Sequence, residues 1–436
     1  MKDIKTQQNT CTKKRLSWTL NVIALIALLI LTGSCVEVSK HENKLDGNAA
    51  SDIEIPKGIY VYNDYFKSIP LIKVLLLSKV KEFNLSISVP FEIHVLDNIL
   101  LEPAAHAASH SGSGLNVLEK IKYLPKSIVK LTDTHIIIGE RKYKRKPIEF
   151  LASKDGDVTV NDIKYWGKIQ CIPQMDNTFL VIEETNVENY LAGVLPSEMP
   201  VSWSNNTLFA QTVAARTYAL YKKKKRNIEM YHVDKLDLAY KGRLNENKKT
   251  NEIVNKSRGI IMVSDWLIFP GYFHSTCGGH TEDVAHIFKE KSIKSLSGVL
   301  CGYCTASQYY GWQTYIDKNE IAKNLKDINV DTSSPFSIRP VDLGTGGHAA
   351  AIEVKNSSGI KRIDANIFRL SIGSDKLYST SFKTNDNAVG ITFSGRGFGH
   401  GVGLCQYGSQ KMGLSGFKWH EIVKHYYPGI DLVKIY

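Results

Sequence analysis

"NVENYLAGVLPSEMPVSWSNNTLFAQTVAARTYALYKKKKR", residues 186–226, is where the chain changes texture. Asn186 is placed to cap a short helix whose apolar residues run up to Pro196. Residues 205–226 read as a longer helix. Leu208, Ala215 and Ala219 fall on one face, and Ala210 and Ala214 keep the neighbouring face thin. The basic run 222–226 closes that helix where its dipole favours cations. It reads as a solvated cap, with a hold on an anionic polymer as the alternative. Between the two helices, "VLPSEMP" (194–200) sets Glu198 between two prolines. Each proline fixes its own φ and biases the preceding residue toward extended backbone. The expectation is a rigid elbow between helices, with Glu198 on it; an ordinary exposed loop glutamate is the plain alternative.

Upstream of this stretch the pattern is that of strands. "IKVLLL" (72–77), "LSISVPFEIHVL" (85–96), "SIVKLTDTHIIIG" (127–139), "DVTVNDIKYWGKIQCI" (157–172) and "TFLVIEE" (178–184) are short, rich in branched residues and bounded by turns. The fold class expected is therefore α+β. A β-rich N-terminal lobe covers 58–180, and a mixed lobe built around the long helix covers 181–436. "AAHAASHSGSG" (104–114) interrupts the strands, within an insertion expected near 104–135. Between 250 and 395 the pattern is mostly strands and loops. "FKWHEIVKHYYPG" (417–429) ends the chain with a helix whose stripe Trp419, Ile422, Val423 and Tyr426 is core packing.

The N-terminus speaks to compartment. Lys2, Lys5, Lys13, Lys14 and Arg15 precede a nearly unbroken apolar run from Trp18 to Leu31, and "LTGSC" follows. A charged region, a short apolar run and a small-residue site read as an export signal over 1–34. "TGSC" also resembles a bacterial lipobox, with Thr32 where leucine is usual, which implies Cys35 as the lipidated residue and leaves 35–57 as a polar tether; a retained N-terminal anchor is the alternative. Either way the remainder is expected in the bacterial cell envelope, held to the membrane by its N-terminus. The whole chain of 436 residues carries +12, and residues 1–34 account for +4 of it, leaving +8. A basic exported protein suits an acidic envelope polymer better than nucleic acid, which is not expected as a partner.

Two further stretches could carry chemistry. "HSTCGGH" (274–280) gives Cys277-x2-His280, and "CGYC" gives Cys301-x2-Cys304. Two ligand pairs with that spacing fit a closed, structural Cys3His zinc site of Cys277, His280, Cys301 and Cys304, with His274 as a spare ligand. A 301–304 disulfide or free thiols is the alternative. "GRGFGHGVGLCQYG" (395–408) holds six glycines in fourteen residues. It lacks the strand–GxGxxG–helix context of a nucleotide site. It can instead press backbone and the side chains of Arg396, His400, Gln406 and Tyr407 against an extended ligand.

Taken together, "NYLAGVLPSEMP" with "AQTVAARTYAL", "FHSTCGGHTED" and "GRGFGHGVGLCQYGSQKMGLSGFKWHEIVKHYYPG" resemble the stage II sporulation protein D (SpoIID) family and its amidase-enhancer relatives. The resemblance runs from about Ile72 to the C-terminus, apart from the insertion. Cys405 stands where the family commonly has serine. The resemblance implies a peptidoglycan lytic transglycosylase acting on glycan strands stripped of stem peptides, with Glu198 as its acid/base. Gln211, Arg216, Arg396, His400, Gln406 and Tyr407 are the substrate-binding candidates. The enhancer relatives imply a different role, a non-catalytic peptidoglycan binder that stimulates a cell-wall amidase.

Overall fold

Alternation of apolar and polar residues builds two sheets in the N-terminal half of the computed structural model, which describes residues 53–56, 59–61, 68–96, 116–153, 156–235, 237–333 and 335–436. In Leu71–Val80, the residues Ile72, Val74 and Leu76 turn inward and are almost fully buried. That strand lies in a seven-stranded sheet between Val233–Asp234 and Phe179–Asn186, which continues through Lys168–Pro173, Ile148–Ala152, Phe91–Val95 and Asn116–Ile121. A six-stranded sheet contains Glu82–Ile87, Leu124–Leu131 and His135–Ile138. The architecture is α+β with a β-rich N-terminal region.

The insertion expected near 104–135 is described from residue 116 onward. Asn116–Ile121 and Leu124–Leu131 are paired strands, and only the part to 115 lies outside the described residues. The signal-like segment, Cys35 and the tether up to residue 52 also lie outside them.

The strand Phe179–Asn186 runs across the boundary expected at 180 and passes directly into the helix Val187–Glu198. Asn186 caps that helix, its side chain accepting from the Asn189 N–H at 2.9 Å. The helix does not stop at Pro196. Pro196 sits in its last turn, and the Met199 N–H still reaches the Leu195 carbonyl at 3.1 Å. Glu198 is thus the final helical residue and not part of a separate elbow. Met199, preceding Pro200, is extended (φ −134°, ψ 147°), as the proline requires.

The long helix, Asn205–Lys225, begins at Ser204, whose hydroxyl accepts from the Thr207 N–H. Every residue from Thr207 to Leu220 is buried, so this helix forms the centre of the C-terminal region and is not a surface element. Its alanines at 210, 214, 215 and 219 let neighbours approach closely. Packed around it are Val187–Glu198, Lys248–Lys256, Gln406–Leu414, Trp419–Tyr426 and the strand Ile260–Val263. The core is continuous from these helices into the N-terminal sheets.

The stretch 250–395 holds more helix than its sequence pattern suggests. Val284–Phe288, Lys318–Lys326 and Ala365–Ile372 are helical, and the last two pack with two three-stranded sheets around a separate core that includes Ile321, Ile352, Phe368 and Phe393.

Candidate active site

Glu198 owes its position to a close approach between backbones. At Gly193, in the middle of its helix, a Cβ would meet the Gly242 carbonyl at 2.4 Å and the Tyr240 ring at 2.7 Å. Glycine there lets the turn after Asp234 press against the helix. That turn is fixed by Asp237, which accepts from the Asp234 N–H at 2.8 Å, from Lys222 at 2.9 Å and from the Tyr218 hydroxyl at 3.2 Å. As a result the Ala239 N–H points at Glu198 and donates to Oε1 at 2.6 Å. From the other side, the Gln406 amide donates to Oε2 at 3.5 Å. Gln406 opens the helix Gln406–Leu414, and the next residue, Tyr407, stacks edge-on with Trp203 at 5.2 Å.

Both donors to Glu198 are neutral, and no cation pairs with it among the described residues. Burial pushes its carboxyl above the usual carboxylate range, and the two donors pull it only part of the way back. Its place at a helix C-terminus, where carbonyl dipoles disfavour negative charge, acts in the same direction. As a residue Glu198 is half-buried, not sealed within the core. Nearby, Tyr190 is buried with its hydroxyl unpartnered among the described residues, and its ring lies 4.8 Å from that of Tyr240. Chemically, this is one protonatable carboxyl, held by neutral donors on a half-buried residue.

The other candidates divide. Gln406 and Tyr407 belong to this place. Arg216 does not: it is wholly buried and makes a bidentate pair with Glu188, Nε to Oε1 at 3.0 Å and a terminal nitrogen to Oε2 at 2.7 Å. It also donates to the Ile260 carbonyl and the Ser257 hydroxyl, which leaves nothing for a ligand. Gln211 is likewise wholly buried, with neither amide atom partnered among the described residues, and it presents no face to an external polymer.

His400 sits in a nest of rings, 5.2 Å from Phe288, 5.5 Å from His274 and 5.6 Å from Tyr272. Burial, reinforced by the neighbouring His274, Arg369 and His348, holds its pKa far below the ordinary value. It is therefore a neutral ring and not the basic group expected from sequence. Arg396 is exposed on the same glycine-rich loop. An apolar cavity of about 490 Å³ beside Leu220, Ile261, Trp266 and Val433 shares no residue with the Glu198 site.

The cysteines converge, but with a different fourth member. Cys277, Cys301, Cys304 and Cys405 are all buried, and their sulfurs lie within 4.8 Å of one another, close enough to hold a metal ion. His280 is outside the cluster. Gly278 and Gly279 take positive φ (78° and 121°) and turn the chain away, and the His280 ring bonds the Thr281 carbonyl at 2.6 Å. Neither spaced ligand pair marks Cys405, which stands alone in the glycine-rich stretch. The Ala239 N–H had no signal, since a backbone group leaves no mark on residue identity.

The fold and this site define an α+β protein with the half-buried Glu198 at a helix C-terminus and a buried four-cysteine cluster. The family model described as stage II sporulation protein matches residues 175–263, and one described as a domain of unknown function matches 280–403. An uncharacterized protein of Brachyspira hyodysenteriae is 33% identical over 322 residues, covering 72% of this chain and 86% of the relative. Stage II sporulation protein D of Bacillus amyloliquefaciens is 29% identical over 269 residues, 58% of this chain and 75% of the relative. The amidase enhancer of Bacillus subtilis is 29% identical over 287 residues, 56% of this chain and 40% of the relative. The chain belongs to the SpoIID family.

Proposed function

We propose that this protein is a peptidoglycan lytic transglycosylase that cuts glycan strands, preferentially those stripped of stem peptides, and leaves 1,6-anhydromuramic ends. The observation that carries the reading is the Glu198 carboxyl, partly open, held by two neutral donors and pushed toward its protonated form by burial. Most glycosidases use two carboxylates. A lytic transglycosylase needs one. Glu198 gives its proton to the glycosidic oxygen as the bond to C1 breaks. The C6 hydroxyl oxygen of the same muramic residue then bonds to C1, and its proton returns to Glu198. No water is consumed, and proximity of the C6 hydroxyl replaces the second acid. Two other carboxyls agree with a single-acid scheme, because buried Glu188 is neutralised by Arg216 and half-buried Asp237 is tied to Lys222.

In this reading Gln406 and Tyr407 position the sugar at Glu198, and exposed Arg396 meets the lactyl carboxylate of muramic acid. His400 offers a neutral aromatic surface. Cys35 carries the lipid that holds the protein at the membrane face of the cell envelope. The zinc ion expected from the sequence is held by the cysteine cluster, with Cys405 in place of His280.

One relative is named amidase enhancer, and the competing reading is a peptidoglycan binder that stimulates a cell-wall amidase. Mass spectrometry of bare glycan strands incubated with the protein separates the two. Anhydromuramic ends are the expected result; intact strands unless an amidase and stem peptides are supplied would overturn the enzymatic reading.

A further inference from the structure

Four sulfurs arrive at one point from three places in the chain. Cys277 follows the strand Phe273–His274, Cys301 and Cys304 share a loop, and Cys405 ends the strand Leu404–Cys405, which pairs in parallel with the first. Sulfurs bound tetrahedrally at about 2.3 Å from an ion stand roughly 3.8 Å apart. Cys277 and Cys304 here are at 3.5 Å, and all four lie within 4.8 Å.

The surroundings suit thiolates. The Cys277 and Gly408 N–H groups donate to the Cys405 sulfur at 3.3 and 3.4 Å, and the Gly279 N–H donates to the Cys277 sulfur at 3.4 Å. The Tyr426 hydroxyl lies 3.2 Å from the Cys301 sulfur. Such donors offset the negative charge of a ligated thiolate and fix its direction. Gly408 is needed for that approach, since a Cβ there would stand 2.7 Å from the Cys301 sulfur.

We propose that Cys277, Cys301, Cys304 and Cys405 hold one soft divalent ion as a tetrathiolate, and that this centre positions Gln406 against Glu198. The second half rests on the reading of Glu198 as the acid/base; the first does not. Cys405 is the residue before Gln406, and its sulfur already caps the helix Gln406–Leu414 through the Gly408 N–H. The Tyr407 N–H is bonded to the Ser275 carbonyl at 3.0 Å, on the strand extension that leads to Cys277. An ion joining Cys405 to Cys277 and to the 301–304 loop thus locks the helix end whose first side chain touches Glu198. Gln406 is a positioning residue, and the ion acts through it.

The test begins with metal content, which needs no cleavage assay. The purified full chain is expected to carry one equivalent of metal, released as a mercurial titrates the four cluster thiols among its seven cysteines. Its cobalt(II) form is expected to show sulfur-to-cobalt charge transfer of four-thiolate intensity. Cys405→Ser should weaken that band and the affinity, whereas His280→Ala should leave both intact. A metal-free protein with four freely titrating thiols, or a cobalt band that survives Cys405→Ser and falls with His280→Ala, would overturn the site. The coupling is read from a cycle on glycan cleavage. Metal removal and Gln406→Ala should each lower kcat, and together no further than either alone, with far-UV circular dichroism retained. Additive losses would mean that the ion is structural only.

Discussion

The helix Val187–Glu198 carries a glutamate near each end, and the two have opposite surroundings. Glu188, in the first turn, is locked by Arg216, and it also accepts from the Tyr436 hydroxyl and the Gly259 N–H. Burial alone would raise its pKa, but the charge and hydrogen bonds of Arg216 hold it below the usual carboxylate range. Glu198, in the last turn, meets only an amide and a backbone N–H among the described residues, and burial wins. Burial alone does not make a carboxyl a proton carrier. A paired carboxylate stays charged and serves the fold, whereas one given only neutral donors and an open side is able to hold and release a proton.

The largest effect expected tests the open end. Glu198→Gln keeps size and hydrogen bonding but removes the proton. Cleavage of bare glycan should fall at least the roughly 10²–10⁴-fold that general acid catalysis contributes, with glycan binding and melting temperature retained. In the wild type, the loss of rate on raising pH should begin above the ordinary carboxylate range, because the acid form is the active one at the first step. A variant that cleaves at the wild-type rate would sink the role given to Glu198.

The paired end is tested by stability. Arg216→Ala leaves Glu188 charged and buried without its partner, and breaking such a pair typically costs about 3–5 kcal/mol. Urea unfolding should show a loss of that order. Replacing both partners, Glu188→Leu with Arg216→Met, should recover much of it, since an apolar pair of similar volume is often tolerated. A fully stable Arg216→Ala protein with weakened glycan binding would instead return Arg216 to the ligand surface.

How much of this contrast could be read from sequence differs between the two ends. The PSEMP motif and the alanine-rich helix marked Glu198 and its support, because proline and helical periodicity act locally. The partner of Glu188 was hidden, since Arg216 lies 28 residues along and nothing in its neighbourhood distinguishes a buried guanidinium from an exposed one. Cys405 was hidden for the same reason, 128 residues from Cys277 in a stretch that read as ligand-binding backbone. His400 was legible as a loop residue but not as a neutral one, because its surroundings come from rings at 272, 274 and 288. The strand segments were readable, but their order in two sheets depends on pairings that no single strand encodes.

Glu183 sharpens the comparison. Among the described residues it too has only neutral donors, the Trp166 N–H at 2.8 Å and the Tyr240 hydroxyl at 2.7 Å, and burial pushes it up to about 8. It has no open side, with 0% exposure. A carboxyl whose folded pKa lies above its unfolded one favours folding fully below the unfolded value, near 4.5. That contribution is lost as pH rises through about 8. The melting temperature should therefore fall between pH 5 and pH 8 in the wild type and fall less in Glu183→Gln, with cleavage at pH 6 changed only a few-fold. An identical pH slope in both proteins would mean that Glu183 is charged in the fold.

The smallest effect should come from the prolines that frame Glu198. Pro196 lacks the N–H that would otherwise bond the Ala192 carbonyl, yet the helix passes through it, because the Met199 N–H still reaches Leu195 and the Ser197 hydroxyl reaches the Gly193 carbonyl at 3.0 Å. Alanine at 196 and 200 restores helical bonding at one site and frees the extended Met199 at the other. The gain in helix propensity opposes the larger entropy of the unfolded chain, about 0.4–1 kcal/mol per proline, so stability should change little. The carboxyl of Glu198 remains gripped by Ala239 and Gln406, which neither substitution touches. Steady-state cleavage by the double variant should drop by less than about tenfold, or roughly 1.4 kcal/mol in the barrier, with glycan affinity unchanged because neither ring belongs to the donor set. A loss as deep as that of Glu198→Gln would show that the proline backbone, and not the two neutral donors, places the acid, and the contrast between the helix ends would then rest on chain stiffness and not on charge.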